Sequence, residues 1–358
     1  EEFVAEGLNE EGLSAGLFYF PGYGEYEAYD PARKEESIAD LQLVSLVLGA
    51  CQPAADTGKT AQTPQATTSN QTLRIGYIGP SETAGGAVGW ALHQGSLQAA
   101  VQPLGFAEVK EYVFPNGPDL NEALLSNQLD IGIFGDTPAL TGEANRGGST
   151  LIGFNSVANE AWLMGRPEIK QLADLTGKNI GVPNGSYMHR YVSGLIEQGL
   201  LKDVKLKFLL PRDAQAALSN GDIAAFAAPI QLGPQLQSLN FNTVDLASSH
   251  QLQGNSVIVA RDEFLSQNPQ FFKVFDQTRR AAAEDLRQQP DAYYAYYLQH
   301  TQYKEPIIRA SFPMESFNTD TFPAQGLKLL EGTKQFLLSQ KIINKDFAIQ
   351  DWQIKTPS

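Results

Sequence analysis

Short apolar runs alternate with longer amphipathic stretches along the chain from about residue 72 onward. The short runs are rich in Ile, Val, Tyr and Phe, as buried strands are, and the stretches between them carry apolar residues at helical spacing. The pattern predicts strands at residues 73–78, 108–113 and 130–134, with helices at 85–98 and 120–126. Strand, helix and strand in this order predict parallel βαβ units with right-handed crossovers.

The same alternation returns after residue 170, with strands predicted at 178–182, 205–210 and 223–227 and helices at 187–198 and 214–219. A short sequence returns as well: LSNQLDIGIF at 125–134 recurs, with one residue deleted, as LSNGDIAAF at 218–226. In both copies a Ser-Asn pair ends a helix and an aspartate precedes an apolar strand. We therefore predict an α/β protein with two related lobes, each a mostly parallel sheet flanked by helices.

The first 71 residues have a different composition. Residues 1–50 hold 11 acidic and 2 basic side chains, and residues 52–70 are small and polar, as flexible linkers are. Between them, LQLVSLVLGAC at 41–51 is apolar but shorter than the roughly 20 helical residues that span a bilayer. We predict that residues 1–47 are a separate acidic segment with no function of their own and that residues 48–71 include a polar tether.

Charge and motifs exclude several classes of function. The 358 residues include 40 acidic and 26 basic side chains, a net charge of −14, so we expect no nucleic-acid partner. The four histidines have no metal-binding spacing, and the GxSxG, GxGxxG and P-loop strings are absent from the sequence. The single cysteine, Cys51, excludes an internal disulfide and a multi-cysteine zinc site. We predict no metal, no cofactor and no enzymatic activity.

The ends of the predicted strands carry residues that begin helices. In open α/β sheets a ligand binds beyond the carboxyl ends of the strands. GDTP at 135–138 predicts Thr137 as a helix N-cap with Pro138 in the first helical position, and PNGS at 183–186 predicts Ser186 as another N-cap. The loops at 79–83 and 114–118 have a similar composition. Because a helix N-terminus offers unpaired N–H groups and a partial positive charge, these loops predict a crevice that binds an anion.

Five stretches occur in order along the second part of the chain: LRIGYIG, VQPLGFAEVKEYVFPNGPDLNEALLSNQLDIGIFGDTP, IKQLADLTGKNIGVPNGSYMHRYV, LPRDAQAALSNGDIAAFAAP and NSVIVARDEFLSQNPQFFKVF. Through them the chain resembles the ABC transporter substrate-binding proteins of the aliphatic sulfonate, taurine and nitrate group. The resemblance implies a two-lobed type II periplasmic-binding-protein fold that closes on its ligand. Lobe 1 would comprise residues 72–160 and 258–358, lobe 2 residues 161–257, and the hinge residues 158–163 and 254–260.

The resemblance also implies a function. The protein would be a monomer that delivers a small anion, an aliphatic sulfonate, to an ABC permease; taurine or nitrate binding and a pyrimidine-precursor or ligand-sensing domain of the same fold are the alternatives. Relatives commonly carry an aromatic-acid pair where this chain has APIQ at 228–231, which implies a different ligand head group. By position, the ligand-binding residues would be Ser81, Asn116, Asp136, Thr137, Gly185, Ser186, Tyr187, Pro229 and Gln231.

The sequence leaves the roles of three further side chains undecided. Asp136 either caps a helix or pairs with the ammonium group of an amino-sulfonate such as taurine. Arg190, one turn into the predicted helix at 187–198, either supplies positive charge to the site or faces solvent. Trp162, near the predicted hinge, either stacks on a ligand or packs within the hinge.

Two resemblances concern the first part of the chain. LGAC at 48–51 resembles a bacterial lipobox, which implies an extracytoplasmic protein anchored through acylated Cys51; the alternative is an ordinary core cysteine ending a buried strand or helix. EGLNEEGL at 6–13 and LFYFPGY at 17–23 resemble an internal piece of the choloylglycine hydrolase and penicillin V acylase family, with Tyr19 near the oxyanion position. That family uses an N-terminal cysteine, whereas Glu1 begins this sequence, so amide hydrolysis is the less favoured alternative.

Overall fold

The computed structural model describes residues 4–8, 14–18, 71–79 and 81–355. The chain divides into two compact units, residues 1–66 and 67–358. In the first unit, strand β1 (Val4–Leu8) pairs antiparallel with β2 (Ser14–Phe18). The predicted anchor at Cys51 and the predicted linker at 52–70 lie outside the described residues.

Within the described part of the second unit, one five-stranded sheet contains β3 (Gln71–Ile78), β4 (Phe106–Phe114), β5 (Ile131–Gly135), β6 (Ser149–Asn159) and β12 (Gly254–Arg261). Its strand order is β4-β3-β5-β12-β6. Strand β3 is parallel to β4 and β5, whereas β12 is antiparallel to both of its neighbours. This sheet and the helices packed on it form the first lobe.

The second sheet contains β7 (Trp162–Gly165), β8 (Asn179–Val182), β9 (Lys205–Phe208), β10 (Ala225–Ala228) and β11 (Asn242–Leu246). Read from one edge, its order is β9-β8-β10-β7-β11. Strands β9, β8 and β10 are parallel, and β7 is antiparallel to both of its neighbours. The two sheets therefore have the same topology, with the antiparallel strand in the fourth position of each.

The helices of the second unit follow the strands in the order that the βαβ pattern predicts. In the first lobe they are α1 (Gly86–His93), α2 (Ser96–Val101), α3 (Gly117–Leu125), α4 (Asp136–Asn145), α8 (Asp262–Gln267), α9 (Phe271–Gln288), α10 (Pro290–Gln299), α11 (Glu305–Ser311), α12 (Ala324–Ser339) and α13 (Ile349–Trp352). In the second lobe they are α5 (Tyr187–Glu197), α6 (Ala214–Asn220) and α7 (Leu232–Ser238). In the part of the chain that the structure describes, none of the helices has both the length and the apolar character of a membrane span.

The repeated sequence occupies equivalent places in the two sheets. Residues 125–134 lead from the end of α3 into β5, and residues 218–226 lead from the end of α6 into β10, the third strand of each sheet. The turn between helix and strand uses a left-handed residue in both copies, Asn127 with φ 60° and Gly221 with φ 82°. The repeat thus marks the two lobes as related units.

The core of the first lobe lies on both faces of its sheet. Leu73, Ile75 and Tyr77 alternate along β3 and pack on one face with Trp90 of α1 and Phe275 of α9. Helices α3, α4 and α12 cover the opposite face with a second apolar cluster. Because both faces are occupied by packing, the polar groups that can meet a ligand are those at the strand ends.

Two predicted elements differ from the structure. The helix predicted at 85–98 is divided into α1 and α2, because Gly95 between them has φ +71° and cannot continue a right-handed helix. Residues 254–260, predicted as a connecting strand of the hinge, lie inside the first sheet, where β12 pairs with β5 and β6.

Candidate functional site

A small cavity of about 80 Å³ lies where the carboxyl ends of the first sheet meet the loop that follows β10 of the second lobe. The second lobe contributes Ile230 and Gln231. The first lobe contributes the end of β3, the start of α1, and side chains from β5, β6, β12, α10 and the segment beyond α11: Tyr77, Ile78, Gly79, Ser81, Ala84, Gly85, Gly86, Ile133, Asn155, Ser156, Asn159, Ser256, Tyr297, Phe312 and Phe317. The cavity thus lies at the predicted strand ends and is closed by both lobes.

Helix α1 begins at the cavity without a cap from its own N-cap residue. Its N-cap, Gly85, offers no side-chain hydrogen bond, and Gly86 follows with φ +73°. The Gly86 amide donates to the hydroxyl oxygen of Tyr293 at 2.8 Å. A helix start of this kind places partial positive charge beside the cavity without a cationic side chain.

A chain of hydrogen bonds joins the two lobes at the cavity wall. The Tyr297 hydroxyl donates to Ser81 Oγ at 2.9 Å and accepts from Gln231 Nε2 at 3.2 Å. Burial raises the pKa of Tyr297, so the phenol stays protonated and remains a donor. Gln231 also has φ +68°, an unfavourable conformation for a residue with a side chain, which the surrounding contacts hold in place.

Strand β6 supplies amide and hydroxyl groups to the cavity wall. Ser156 Oγ donates to Asn159 Oδ1 at 2.8 Å, which leaves the Nδ2 group of Asn159 as a donor for another partner. Asn155 Nδ2 donates to the backbone oxygen of Gly85 at 3.1 Å and so supports the start of α1. Across the sheet, Ser256 of β12 adds a hydroxyl.

The cavity wall combines polar and apolar side chains but is uncharged. Its lining residues, all within the described ranges, include no Asp, Glu, Lys, Arg, His or Cys. Among residues 71–79 and 81–355, likewise, no group of three His, Cys, Asp or Glu side chains is placed to hold a metal ion. The lining can therefore hold a small polar ligand by hydrogen bonds, but it offers no general base and no thiol nucleophile.

A second cavity, of about 240 Å³, lies elsewhere in the second lobe. It is lined by residues before β8 and β10, among them Arg166, Lys178 and Asp222, and opens at the amino ends of those strands. Because ligands of open α/β sheets bind at the carboxyl ends, the smaller cavity between the lobes is the candidate site.

The structure brings only some of the predicted site residues to the cavity. Ser81 and Gln231 line it, and Pro229 lies two residues before Gln231, with its oxygen accepting from Gly233. Asn116 accepts from the amide of Asp119 at 2.9 Å as the N-cap of α3 and does not line the cavity.

The loop before α5 lies outside the cavity lining as well. Ser186 caps α5 as predicted, accepting from the His189 amide at 3.2 Å, and Gly185 precedes it with φ +61°. The Tyr187 hydroxyl donates to the backbone oxygen of Glu160 at 3.2 Å. This predicted anion-binding loop is therefore followed by a residue, Tyr187, that bonds to the segment connecting the lobes.

The prediction for Asp136 and Thr137 is wrong in its local geometry. Helix α4 begins at Asp136 with Gly135 as N-cap, so Thr137 is not the N-cap and Pro138 is in the third helical position. Asp136 is fully buried and accepts from the amide and Nδ2 of Asn255 at 3.0 and 3.1 Å. It neither caps a helix nor faces the cavity. Its hydrogen-bond donors come instead from Asn255 at the start of β12, a distant part of the chain.

The structure decides between the roles left open for Arg190 and Trp162. Arg190 is buried rather than facing solvent: its Nη1 donates to Thr333 Oγ1 at 3.0 Å and to the Gln253 oxygen at 3.1 Å. Burial lowers its pKa, and the charge of Asp136 opposes that effect. Trp162 packs against Gly233 of α7, outside the cavity lining.

The sequence analysis did not predict several of the side chains that lie at the cavity. Tyr293 and Tyr297 belong to α10, and Asn155 and Asn159 belong to β6, none of which was assigned to the site. The sequence YYAYY at 293–297 was a usable signal, since positions 293 and 297 share one helix face and their hydroxyls need buried partners.

Comparison with known proteins gives the family. The sequence model described as NMT1/THI5 like matches residues 108–293. Over 167 residues the chain is 30% identical to a protein of Escherichia coli (strain K12) named as an aliphatic sulfonates-binding protein, covering 45% of this chain and 50% of that protein. The chain thus spans about half the length of the curated relatives it matches first.

Solved structures show the fold. The periplasmic aliphatic sulphonate binding protein SsuA from Escherichia coli superposes with a TM-score of 0.66 at 23% identity, covering 80% of this chain and 93% of that chain. DSZB, a desulfurization enzyme, solved in complex with biphenyl-2-sulfinic acid, gives a TM-score of 0.64 at 20% identity, covering 79% and 96%. The predicted two-lobed periplasmic-binding fold is confirmed, and the same fold carries binding proteins and an enzyme.

Proposed function

Because the chain belongs to the NMT1/THI5-like family, we propose that it is an extracytoplasmic solute-binding protein that captures a small aliphatic sulfonate between its lobes. It delivers the ligand to an ABC permease without changing it chemically. The resemblance of residues 72–358 to the sulfonate-binding group and the aliphatic sulfonates-binding relative in Escherichia coli support this ligand class.

The observation that carries the proposal is the glycine-rich start of α1, which has no cap from its own N-cap residue, at a cavity walled by both lobes. A sulfonate keeps its negative charge at physiological pH and needs several donors. The N-terminus of α1, Asn159 Nδ2 and the Ser256 hydroxyl offer neutral donors on one side, and Gln231 reaches the cavity from the other lobe. Because each lobe supplies part of the wall, ligand binding favours the closed arrangement.

The side chains of the same cavity wall also favour ligand binding without a chemical reaction. Ser81 donates to the backbone oxygen of Thr83 at 2.9 Å, and the lining contains no histidine or carboxylate that could act as its base. A serine without a base is a weak nucleophile. The alternative is a desulfurization enzyme, the activity that the name of the structurally similar DSZB gives for that protein.

The remaining parts of the proposal concern location and partners. The protein acts as a monomer outside the cytoplasm, anchored through Cys51, and meets a permease in the membrane. Taurine or nitrate as ligand, or a pyrimidine precursor bound by a ligand-sensing domain, are the alternatives within this fold.

Isothermal titration tests the proposal. Ethanesulfonate should bind with one site per chain, whereas ethyl methyl sulfone, which has a similar shape and no charge, should give no measurable heat of binding. Ethanesulfonate should also reduce the radius of gyration in small-angle scattering. Sulfite release on incubation would establish the enzyme instead, and binding of the sulfone equal to that of ethanesulfonate would contradict an anion site.

A further inference from the structure

Asn155 carries a hydrogen-bond acceptor without a partner at the cavity. The side chain lies on β6 and is 8% exposed. Its Nδ2 group donates to the Gly85 oxygen, whereas its Oδ1 is buried and has no hydrogen-bond partner within residues 71–79 and 81–355. A buried amide oxygen without a donor is unfavourable, and such groups are uncommon in folded proteins.

The orientation of this amide is fixed by its neighbour. Rotating the amide group by half a turn would place Oδ1 against the Gly85 oxygen, where two acceptors would face each other and the hydrogen bond of Nδ2 would be lost. The acceptor therefore stays turned away from the Gly85 oxygen. A Cβ atom on Gly86 would lie 2.7 Å from Oδ1, so glycine at this position leaves the acceptor uncovered by a side chain.

Several other polar groups of the wall differ from Asn155 in kind. Asn159 Nδ2, the Ser256 hydroxyl and the start of α1 are donors, as an anion requires. An amide oxygen repels an anion and attracts an N–H or O–H group. The wall is thus complementary to a ligand with an anionic end and, a short distance away, a donor.

We propose that Asn155 Oδ1 accepts a hydrogen bond from the ligand and selects short sulfonates that carry a hydroxyl or ammonium group over plain alkanesulfonates. This inference rests on the proposed function, because it assigns a specificity-determining residue to the same site. Asp136, the earlier candidate for an ammonium partner, accepts from Asn255 at Oδ2 and from Thr137 at Oδ1, and it lies outside the lining. Asn155 supplies the acceptor instead, without introducing a negative charge beside the sulfonate.

Titration of the complete chain with three matched ligands tests the proposal. Ethanesulfonate, 2-hydroxyethanesulfonate and taurine share the sulfonate and the two-carbon chain and differ only in the donor. We expect 2-hydroxyethanesulfonate, taurine or both to bind about tenfold more tightly than ethanesulfonate, the factor for one hydrogen bond. In Asn155→Leu that ratio should fall close to one.

Asn159→Leu is the matched control, since it changes the same residue type on the same strand. It removes a donor to the sulfonate, so all three affinities should fall together and their ratio should persist. Equal affinity of the unaltered protein for the three ligands would overturn the role of Asn155 while leaving the proposed function intact. Failure of all three to bind would overturn both. An unchanged ratio of the three affinities in Asn155→Leu would show that Asn155 serves only to hold Gly85 in place. That result would also overturn the inference.

Discussion

The hydroxyl of Thr333 links the guanidinium of Arg190 to the carboxylate of Asp136 by hydrogen bonds. Arg190 Nη1 donates to Thr333 Oγ1 at 3.0 Å, and that oxygen lies 3.3 Å from Asp136 Oδ2. Arg190 belongs to α5 of the second lobe, whereas Asp136 and Thr333 belong to α4 and α12 of the first. The lobes are therefore joined by a buried polar contact outside the ligand cavity.

Burial of Asp136 should make stability depend on pH. Burial raises its pKa above the usual value of 3.8, although the charge of Arg190 opposes that effect. Above pH 3.8 the unfolded chain has released this proton while the folded chain still holds it, so the free energy of unfolding falls as the pH rises toward the folded-state pKa. Asp136→Asn should remove this contribution, which reaches at most about 1.4 kcal/mol per pH unit. Urea unfolding from pH 4 upward measures it, and equal slopes in both proteins would contradict the prediction.

Replacing Arg190 should cost more stability than removing the helix cap at Ser186. Arg190→Gln removes the buried hydrogen bonds that the guanidinium donates to Thr333 and to the Gln253 oxygen, for a loss of about 3 kcal/mol. Ser186→Ala removes one N-cap hydrogen bond, for about 1 kcal/mol. Neither residue lines the cavity, so the affinity of correctly folded Ser186→Ala for ethanesulfonate should not change. A larger loss of unfolding free energy in Ser186→Ala than in Arg190→Gln would reverse this order.

Gly86→Ala should damage both stability and binding. Gly86 has φ +73°, where an L side chain costs about 1–2 kcal/mol, and the new Cβ would press on Asn155. Gly95→Ala is the matched control, with φ +71° and no atom within 4 Å of the new Cβ. Both variants should lose unfolding free energy, Gly86→Ala the more because its Cβ also contacts Asn155, but only Gly86→Ala should bind ethanesulfonate more weakly. A comparable loss of affinity in Gly95→Ala would attribute the effect to backbone strain alone.

The hydroxyl of Tyr297 should matter for closure of the lobes. Tyr297→Phe removes the group that joins Ser81 to Gln231 across the cavity, so ligand affinity should fall by about tenfold. Tyr294→Phe, on the same helix, removes a hydroxyl that donates to the buried Phe312 oxygen at 2.7 Å. Tyr294 does not line the cavity, so this control should lose stability and keep its affinity. Titration of both variants would refute the bridging role if their affinities fell equally.

Much of the fold could be predicted from the sequence because its elements are local patterns. The strands β3, β5 and β8 and the cap at Ser186 follow from runs of neighbouring residues, and the repeat at 125–134 and 218–226 indicated two related lobes. The division of the helix after Gly85 was missed because glycine at position 95 is compatible with a helix until its φ is known.

The site could be predicted less well, because its residues come together through tertiary packing. Ser81 meets Tyr297, more than two hundred positions away, and no local pattern reports that contact. The GDTP sequence favoured Thr137 as N-cap, but Asn255 attracts the Asp136 side chain and the helix begins earlier. Tertiary contacts of this kind override capping preferences.

The position of β12 constrains the order in which the first lobe can be completed. β12 lies between β5 and β6, so β6 is joined to the rest of its sheet through a strand that begins only at Gly254. Every strand of the second lobe precedes β12 in the sequence. The backbone groups of β6 must therefore wait for a distant segment, a long-range closure that slows folding. A chain truncated before Gly254 would leave β6 without its partner in the sheet, and unpaired strand edges of this kind favour aggregation.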